Sequence, residues 1–415
     1  MALEVVTFGC RLNSYESEVI RDNAVKAGLD DAIIFNTCAV TAEAERQARQ
    51  AIRKARKNNP HSKIIVTGCS AQVNPKAYGE MEEVDQVLGN AEKLKEPAYL
   101  STSQSEKILV NDIMSVKETA LHMVESFEGR ARGFLQVQNG CDHRCTFCII
   151  PYGRGNSRSV PMGEIVAQAR MLVERGYNEI VITGVDVSDY GKDLPGAPTL
   201  GQMLRRLLAL VPELPRIRLS SIDAVEVDSD LYELIAEEPR LMPHIHVSLQ
   251  AGDDIILKRM KRRHSRKDVV DFCHRVRSLR PDVVFGADII TGFPTETEAM
   301  FQNSLNIVGE AGFTYLHVFP YSARIGTPAA RMPQVAKEIR KERALRLREV
   351  GQKQTEKYYA SWIGKKTYGI IERGNIVRSD HFIPAHVPGD LAVGALTRIA
   401  ITGMNAGKLY AEVLQ

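Results

Sequence analysis

The chain has 415 residues, of which 44% are hydrophobic and 25% are charged, and its formal net charge is only +3. This length predicts two or three domains, and this composition is typical of a soluble globular protein. No apolar run approaches the roughly 18 residues that cross a bilayer, so no membrane partner is expected. Because the net charge is small, any affinity for nucleic acid must come from local basic patches.

The N-terminal residues and the cysteine content both bear on where the protein is located. Residues 1–6 predict the start of a strand, and they lack the basic flank of a signal peptide. Seven cysteines in a long chain without such a signal indicate reduced thiols and metal ligation. We therefore expect a cytoplasmic enzyme.

The first hundred residues alternate short strands with helices, which predicts an α/β domain with a parallel, doubly wound sheet. A cysteine closely follows each of the first three predicted strands: Cys10, Cys38 and Cys69. Ligands of open α/β sheets bind at the carboxyl ends of the strands. We therefore expect these cysteines to meet as a three-thiolate metal site. The alternative is three small buried side chains, since free cysteine packs as a hydrophobe.

A second α/β pattern starts near Phe134, after a segment from about Tyr99 to Arg132 that reads as a linker and includes the serine-rich run 101–105. Six strand–helix units in about 190 residues fall short of the eight units and roughly 250 residues of a closed barrel. An open, partial (β/α)6 barrel is therefore predicted. Its strands are expected at 134–138, 180–183, 217–220, 245–249, 285–290 and 315–319.

The loop after the first of these strands carries Cys141, Cys145 and Cys148, with the spacing C-x₃-C-x₂-C. Thiolates at such spacing select zinc, copper(I) or an iron–sulfur cluster. A structural zinc site normally has four ligands, and His143 would have to be the fourth from inside the x₃ loop. The spacing favours a 4Fe–4S cluster bound through three irons, with the fourth iron open. Zinc, and a disulfide with a spare thiol, are the alternatives.

The loops after the other barrel strands are rich in glycine and hydrogen-bonding side chains. Glycine allows a ligand to approach the backbone closely. We predict ligand contacts at Gly184, Ser220, Gln250 and Asp288. The alternative is ordinary turn and capping chemistry, which accounts for the capping box at 295–298.

Residues 258–267 contain seven lysines or arginines in ten positions. A charge run is usually a solvated surface, but unbalanced positive charge beside a barrel loop favours contact with a phosphate backbone. The predicted RNA contacts are Lys258, Arg259, Lys261, Arg262 and Arg263.

Beyond about Trp362 the pattern changes to five short strands, which predicts a small β-barrel of the kind that binds oligonucleotides. This fold supports many functions and is weak evidence alone. The predicted domains are 1–105, 127–352 and 355–415.

Together these motifs resemble the methylthiotransferases of the radical S-adenosylmethionine superfamily. The shared features are the Cys141 motif with Phe147, the three-cysteine N-terminal domain, the partial barrel and a C-terminal TRAM domain. Segments 8–13, 36–41 and 148–155 resemble the subgroup that acts on N6-threonylcarbamoyladenosine in tRNA. Segment 288–295 resembles the adenosine-contact strand of the superfamily, without its usual first glycine and final acid.

The resemblance implies two 4Fe–4S clusters and S-adenosylmethionine as cofactors. It makes Cys141, Cys145 and Cys148 the catalytic cluster ligands, with Phe147 beside the cofactor, and it gives the N-terminal triad a second cluster that supplies sulfur. The implied reaction cleaves S-adenosylmethionine with one electron, removes hydrogen from C2 of the adenine and inserts sulfur, which a second S-adenosylmethionine methylates.

The implied substrate is N6-threonylcarbamoyladenosine next to the anticodon, at position 37 of tRNA, and the product is its 2-methylthio derivative. The implied partners are the tRNA anticodon stem-loop, an electron donor such as flavodoxin or ferredoxin, and a sulfur donor. Two alternatives stay open. One is the same chemistry on isopentenyladenosine or on an aspartate of a ribosomal protein, and the other is a non-catalytic iron–sulfur protein that binds RNA.

Overall fold

The computed structural model describes residues 3–100, 106–117, 123–124, 126–127 and 129–414. The chain forms an N-terminal parallel sheet, a curved arrangement of six parallel strands and a small closed barrel, which confirms the predicted α/β class. The serine-rich run 101–105 lies outside the described residues. Among the described residues, no helix has the length and apolarity needed to cross a membrane.

The N-terminal sheet has five parallel strands in chain order: β1 (Glu4–Thr7), β2 (Ala32–Thr37), β3 (Lys63–Gly68), β4 (Gln86–Leu88) and β5 (Ile108–Leu109). Its helices are α1 (Arg11–Lys26), α2 (Ala42–Asn58), α3 (Cys69–Val73) and α4 (Pro75–Gly79). The strand order has no reversal, in contrast to a doubly wound sheet with a switch point. The sheet also extends to Leu109, past the predicted boundary at 105, because β5 pairs with β4.

Helices cover both faces of this sheet, as expected for strands that are apolar throughout. On one face Ile33 and Phe35 pack with Ile52 of α2. On the other face Ile34 packs with Ile20 of α1. Strands β4 and β5 were not predicted, because two or three residues are too short to show an alternating pattern.

The central unit contains all six predicted strands. Its strands are β6 (Gly133–Gln136), β7 (Gln138–Asn139), β8 (Arg158–Ser159), β9 (Ile180–Thr183), β10 (Ile217–Leu219), β11 (His244–Gln250), β12 (Val284–Thr291) and β13 (Phe313–Pro320). Its helices are α5 (Ile150–Arg154), α6 (Met162–Glu174), α7 (Leu200–Leu210), α8 (Ser229–Glu237), α9 (Asp254–Arg259), α10 (Arg266–Leu279) and α11 (Glu298–Glu310).

Two parallel sheets, β10-β9-β6 and β11-β12-β13, make up the wall of this unit. Bridges from Ile217 to Leu241 and from Ile222 to Val247 join them. In the described part of the chain β6 and β13 are edge strands, so the barrel is open, as predicted. We call the space inside this curved wall the lumen.

Alternation along β11 assigns its side chains to the two sides of the wall. Ile245 and Val247 face outward and pack in the core with Phe272 of α10. His244 and His246 therefore point into the lumen.

The C-terminal unit follows the long helix α12 (Lys337–Ala360). Its strands β14 (Lys366–Glu372), β15 (Ile376–Ser379), β16 (Pro384–His386), β17 (Leu396–Asn405) and β18 (Lys408–Val413) close in the order β14-β15-β16-β18-β17. Ile371, Val377 and Ile401 belong to its apolar core. The predicted small barrel is confirmed.

One loop of the small barrel closes the amino-terminal end of the lumen. The ring of Phe382 stacks on His244 with centroids 4.5 Å apart. The guanidinium groups of Arg218 and Arg378 lie over the same ring, at 5.2 and 4.7 Å. Cation–π contacts of this kind fix the loop against the strand ends.

A buried carboxylate, Glu179, stands at the centre of the same junction. Its Oε1 lies 2.5 Å from Arg132 and 2.9 Å from Arg218. Arg132 also pairs with Glu372 of the small barrel at 2.6 Å. Burial alone would raise the pKa of Glu179, but Arg218, Arg132 and Arg216 outweigh it and lower that pKa. Glu179 therefore links the partial barrel to the C-terminal unit through shared arginines.

We predict that Glu179→Gln lowers the free energy of unfolding by about 3–5 kcal/mol, because it leaves buried guanidinium groups without their carboxylate. Since the pKa of Glu179 is lowered, its stabilising contribution is present above pH 4.5, the ordinary pKa of a glutamate, and is lost as the pH falls below it. Urea titrations of both proteins should show a constant difference near neutral pH that narrows in acid.

The matched control is Glu213→Gln, at an exposed position. It should change the free energy of unfolding by no more than about 0.5 kcal/mol. Equal effects of the two substitutions would contradict the role of Glu179.

Candidate active site: two cysteine triads joined by one helix

The loop that carries Cys141, Cys145 and Cys148 begins at a position that only glycine can occupy. Gly140 has a φ of 73°, and a Cβ there would lie 1.8 Å from the carbonyl oxygen of Asn156. The amide of Cys141 donates to Gly155 O at 3.1 Å. This close approach folds the loop back on itself and gathers its three cysteines.

Neighbouring loops hold the middle of this cysteine loop. The amide of Thr146 donates to Met260 O at 3.0 Å, and its carbonyl accepts from Ala329 at 2.9 Å. The side chain of Gln138 donates to Gly140 O at 2.8 Å and accepts from the amide of Asp186 at 2.9 Å. The loop is therefore fastened to the ends of several barrel strands.

The three thiols of this loop, the core triad, sit in a poorly solvated environment. Burial, and next the carboxylate of Asp186, raise the pKa of Cys141. Burial raises the pKa of Cys148 to about 12. Cys141 Sγ lies 3.7 Å from Asp186 Oδ2, and Cys145 Sγ lies 3.7 Å from Arg262 Nη1. The charges of Cys145 and Cys148 act on Cys141, so the three thiols are neighbours. Neighbouring thiols fit a metal cluster, whose positive charge would hold them as thiolates.

His143 does not join the triad as a ligand. Its Nε2 lies 2.8 Å from Asp186 Oδ2. The hydrogen bonds to Asp186 and Glu226 raise the pKa of His143 to about 10. The ring nitrogen of His143 is therefore engaged by carboxylates rather than by the thiols of the triad.

The position of Arg262 does not agree with its predicted role as an RNA contact. Its side chain is 8% exposed. Its Nη2 donates to Asp223 Oδ2 at 2.7 Å and to Ser248 O at 2.8 Å. A run of basic residues in the sequence does not show which side chains are buried. Arg262 turns inward and holds the part of the core triad that contains Cys145.

A recess of about 240 Å³ opens beside the core triad. It is lined by three of the predicted cofactor contacts, Phe147, Gln250 and Asp288. Val40 and Thr41, just after Cys38, line it from the N-terminal unit. The recess therefore brings both cysteine-bearing units together around one space.

The other two predicted contacts lie elsewhere. Gly184 and Ser220 follow β9 and β10, and neither lines the recess. A Cβ on Gly184 would lie 3.0 Å from Gln138 O, so this glycine allows its loop to pack on the base of the cysteine loop.

Gln250 has a φ of 73°, which is rare for a residue with a side chain. The pairing of β11 with β12 shifts register between Val247 and Gln250. Strain of this kind persists where the surrounding structure imposes it, and it is common at ligand sites. It places Gln250 at the recess.

Asp288 is held by two histidines that the sequence analysis missed. Its Oδ1 lies 2.9 Å from His246 Nε2 and 3.1 Å from His317 Nδ1. Burial would raise the pKa of Asp288, but these two hydrogen bonds outweigh it and lower that pKa. The alternation of His244, His246, Ser248 and Gln250 along β11 would have revealed His246 as a lumen residue.

The N-terminal triad also depends on glycines. Gly9 and Gly68 both have a φ of 96°. A Cβ on Gly9 would lie 2.9 Å from Cys38 Sγ, and one on Gly68 would lie 2.3 Å from the backbone of Thr37. These glycines let the three loops approach closely, which brings Cys10, Cys38 and Cys69 together at the carboxyl edge of the sheet.

Burial, and next the charge of Cys69, raise the pKa of Cys38 to about 12. Cys10 remains exposed. Asn90 Nδ2 lies 3.7 Å from Cys69 Sγ and also donates to the carbonyl of Gly153. Three thiols with one open side fit a cluster that keeps an accessible position.

The two triads meet through helix α5, which starts two residues after Cys148. Ile149 packs against Ala39 and Cys69. A Cβ on Gly153 would lie 3.2 Å from Cys69 Cβ, so the helix and the N-terminal triad are in close contact. One short segment therefore touches both candidate cluster sites.

Arg154, the last residue of α5, is fully engaged in the N-terminal unit. Its two terminal nitrogens donate to the carboxylate of Glu16 at 2.8 and 2.9 Å. Lys93 Nζ donates to Glu16 at 2.7 Å, and Asn13 accepts from Arg154 at 2.5 Å. Burial would raise the pKa of Glu16, but Arg154 and Lys93 lower it to about 2. Two cations and one anion leave an excess positive charge near the thiols.

Two family models match the chain, a Radical SAM superfamily model over residues 135–308 and an uncharacterised family, UPF0004, over residues 2–89. The chain is 61% identical over 97% of its length to the threonylcarbamoyladenosine tRNA methylthiotransferase MtaB of Rickettsia prowazekii, covering 96% of that protein. The chain belongs to the radical SAM tRNA methylthiotransferase family.

Two further relatives have lower identity to this chain. The protein of the same name from Aquifex aeolicus is 36% identical over 97% of this chain and 100% of its own length. A tRNA-2-methylthio-N(6)-dimethylallyladenosine synthase of Cereibacter sphaeroides is 33% identical over 99% of this chain and 98% of its own.

Solved structures show the same fold at low identity. The radical S-adenosylmethionine methyltransferase TsrM from Kitasatospora setae, with cobalamin and a [4Fe-4S] cluster bound, has a TM-score of 0.59 at 13% identity, over 80% of this chain and 77% of that one. The cobalamin-dependent S-adenosylmethionine radical enzyme OxsB has a TM-score of 0.51 at 12% identity, over 85% and 56%.

The remaining residues of the basic run differ in accessibility within this methylthiotransferase. Lys258 and Lys261 are exposed. Arg259 donates to Thr295 Oγ1 at 2.8 Å, and Arg263 pairs with Glu226. Lys258 and Lys261 are therefore the exposed lysines of the run, whereas Arg259 and Arg263 are engaged by protein partners.

We predict that Arg262→Ala lowers the free energy of unfolding by about 3 kcal/mol, because Asp223 stays buried without its guanidinium partner. Arg263→Ala is the matched control, since the Arg263 side chain is 45% exposed. It should cost no more than about 1 kcal/mol. The measurement is urea unfolding, together with the affinity for tRNA.

The opposite result would support the predicted contact of Arg262 with RNA. If Arg262→Ala weakened tRNA binding without any loss of stability, Arg262 would be an RNA contact.

Proposed function

We propose that this chain methylthiolates C2 of N6-threonylcarbamoyladenosine beside the anticodon of tRNA. The observation that carries the proposal is the contact of two three-cysteine sites through one helix, Ile150–Arg154, next to a recess at the barrel rim. Neither site alone distinguishes this reaction from other radical chemistry. The substrate comes from the names of the similar proteins.

We assign Cys141, Cys145 and Cys148 to one 4Fe–4S cluster and Cys10, Cys38 and Cys69 to the other. When bound, these clusters and S-adenosylmethionine supply one-electron cleavage of the sulfonium and the sulfur for insertion, and the chain supplies binding, orientation and exclusion of water. Three cysteines per cluster leave one iron of each open to a further ligand.

The recess residues orient the cofactor. Phe147 and Ile290 give it apolar walls, and Gln250 offers an amide for hydrogen bonds. Asp288 stays ionised at neutral pH because of His246 and His317, so it accepts hydrogen bonds from hydroxyl or amino groups.

The residues around the N-terminal triad hold it in position toward the recess. Arg154 places a positive charge near thiolates that carry negative charge once metal binds. Asn90 links Cys69 to the backbone of Gly153. This arrangement keeps the two cluster loops in a constant relation while substrate enters.

On the RNA side, proteins read single-stranded loops whose bases can leave the stack. An adenosine of the anticodon stem-loop would flip toward the lumen, while Lys258, Lys261 and the C-terminal barrel hold the backbone. An electron donor such as flavodoxin or ferredoxin and a sulfur donor complete the cycle. This substrate implies a cytoplasmic enzyme.

The test is an anaerobic assay of the reconstituted protein with reductant, S-adenosylmethionine and tRNA that carries N6-threonylcarbamoyladenosine. The wild type should form 5′-deoxyadenosine and 2-methylthio-N6-threonylcarbamoyladenosine, both measured by mass spectrometry. Replacement of the N-terminal triad by alanine should abolish the second product and leave the first. Replacement of the core triad should abolish both.

Matched substrates give the specificity control. The same tRNA with isopentenyladenosine, and a ribosomal protein, should stay unmodified. Methylthiolation of either one in place of the threonylcarbamoyl substrate would refute the substrate, and absence of 5′-deoxyadenosine would refute catalysis.

A further inference from the structure

Arg11 is a cation from the N-terminal unit that faces the lumen. It is the first residue of α1, directly after Cys10. The residue is exposed to solvent, and the charges that act on its guanidinium are those of Arg132, Arg218 and Glu179 at the lumen base and that of Cys10. It also lies close enough to His244 to repel a proton there. Arg11 therefore extends from the N-terminal unit toward the lumen base while it stays accessible to solvent.

No carboxylate of the described residues binds Arg11. Partial loss of hydration beside the packed wall of the lumen, and next the repulsive charges of Arg132 and Arg218, lower the pKa of Arg11. Apart from Cys10, which belongs to the N-terminal triad, the acidic group that acts on Arg11 is Glu179, and Glu179 is already shared by Arg132, Arg216 and Arg218. An arginine nevertheless stays charged at neutral pH. The lumen therefore contains a cation that lacks a counter-ion.

The position is also unfavourable for the helix itself. The N-terminus of a helix carries partial positive charge and favours acidic side chains. The first turn of α1 has no acidic residue, and its first residue is this arginine. A residue that is unfavourable for its own helix, without a compensating structural contact, is typical of a functional position.

The other lumen charges are paired. Asp288 is bound by His246 and His317. The arginines at the lumen base share Glu179, with Glu372 and Asp380 of the small barrel completing the network. Arg11 is therefore the lumen cation of the described residues that is available to an anionic substrate group.

We propose that Arg11 binds the carboxylate of the threonyl group of the substrate and so selects N6-threonylcarbamoyladenosine. This inference rests on the proposed function. The substituent on N6 of that nucleoside carries one carboxylate, whereas adenosine and isopentenyladenosine carry none. A guanidinium matches a carboxylate with two parallel hydrogen bonds.

The location suits the reaction as well. Cys10 is the exposed member of the N-terminal triad, and Arg11 is its neighbour in the chain. C2 of the adenine has to reach the sulfur at this triad. The N6 substituent belongs to the same base and therefore enters the same part of the lumen, where Arg11 is in reach. A neutral substituent would displace water from Arg11 without replacing its hydrogen bonds, which is unfavourable.

The experiment compares two anticodon stem-loop RNAs that differ only in the charge of the threonyl group. One carries N6-threonylcarbamoyladenosine, and the other carries its threonine carboxamide. The full-length protein with both clusters should bind the acid roughly tenfold to hundredfold more tightly than the amide, the range of a charged hydrogen bond. In Arg11→Gln the ratio of the two Kd values should fall to about one, and Arg11→Lys should retain part of it.

The control is Lys26→Gln, which removes a charge from the exposed opposite end of α1 and should leave the ratio unchanged. Each ratio compares two RNAs on one protein preparation, so a partly unfolded or cluster-poor variant still gives an interpretable value. Arg11→Gln should also leave the melting temperature equal or higher, because the helix loses an unfavourable charge.

Retention of the wild-type ratio by Arg11→Gln, while the wild type still methylthiolates the acid RNA, would overturn the role of Arg11 and leave the proposed function intact. Equal binding of acid and amide by the wild type would overturn it too. A wild type that does not modify the acid RNA would refute the proposed function itself.

Discussion

The relation between the two cysteine triads depends on the buried ion pair of Arg154 and Glu16. Arg154 belongs to the helix that follows Cys148, and Glu16 belongs to the helix that follows Cys10. Their bidentate contact, at 2.8 and 2.9 Å, joins the helix that follows one cysteine of the core triad to the helix that follows one cysteine of the N-terminal triad. Each triad is gathered by its own glycines, but their mutual position comes from this pair and from the packing of Ile149 and Gly153 on the Cys69 loop.

Burying such an ion pair costs free energy. Its main effect is therefore to fix the relative position of the two helices rather than to add stability. Desolvation of two charges offsets most of their attraction. Here the remaining donors and acceptors are satisfied by Asn13 and Lys93, which defines one orientation of α5. The same logic holds at the other end of the lumen, where Glu179 orders the arginines that receive the small barrel. Buried ion pairs thus set the distance between units that apolar contacts alone would not hold in one position.

Much of this architecture could be predicted from local pattern. The alternation of strands and helices predicted the six barrel strands, and the sheet-edge rule predicted that Cys10, Cys38 and Cys69 lie together. Charge composition failed at Arg262, because a run of basic residues does not show which side chain turns inward. Arg154 and Glu16 carry no local pattern, since their partnership spans more than a hundred residues. His246 and His317 could have been found from strand alternation, but the ligand contacts were sought in the loops that follow the strands.

The most direct measurement is iron anomalous scattering from anaerobically grown crystals of the reconstituted protein. We expect two iron clusters, one bound by Cys141, Cys145 and Cys148 and the other by Cys10, Cys38 and Cys69, with the helix Ile150–Arg154 between them. A single iron site, or a second metal away from the N-terminal triad, would contradict this expectation.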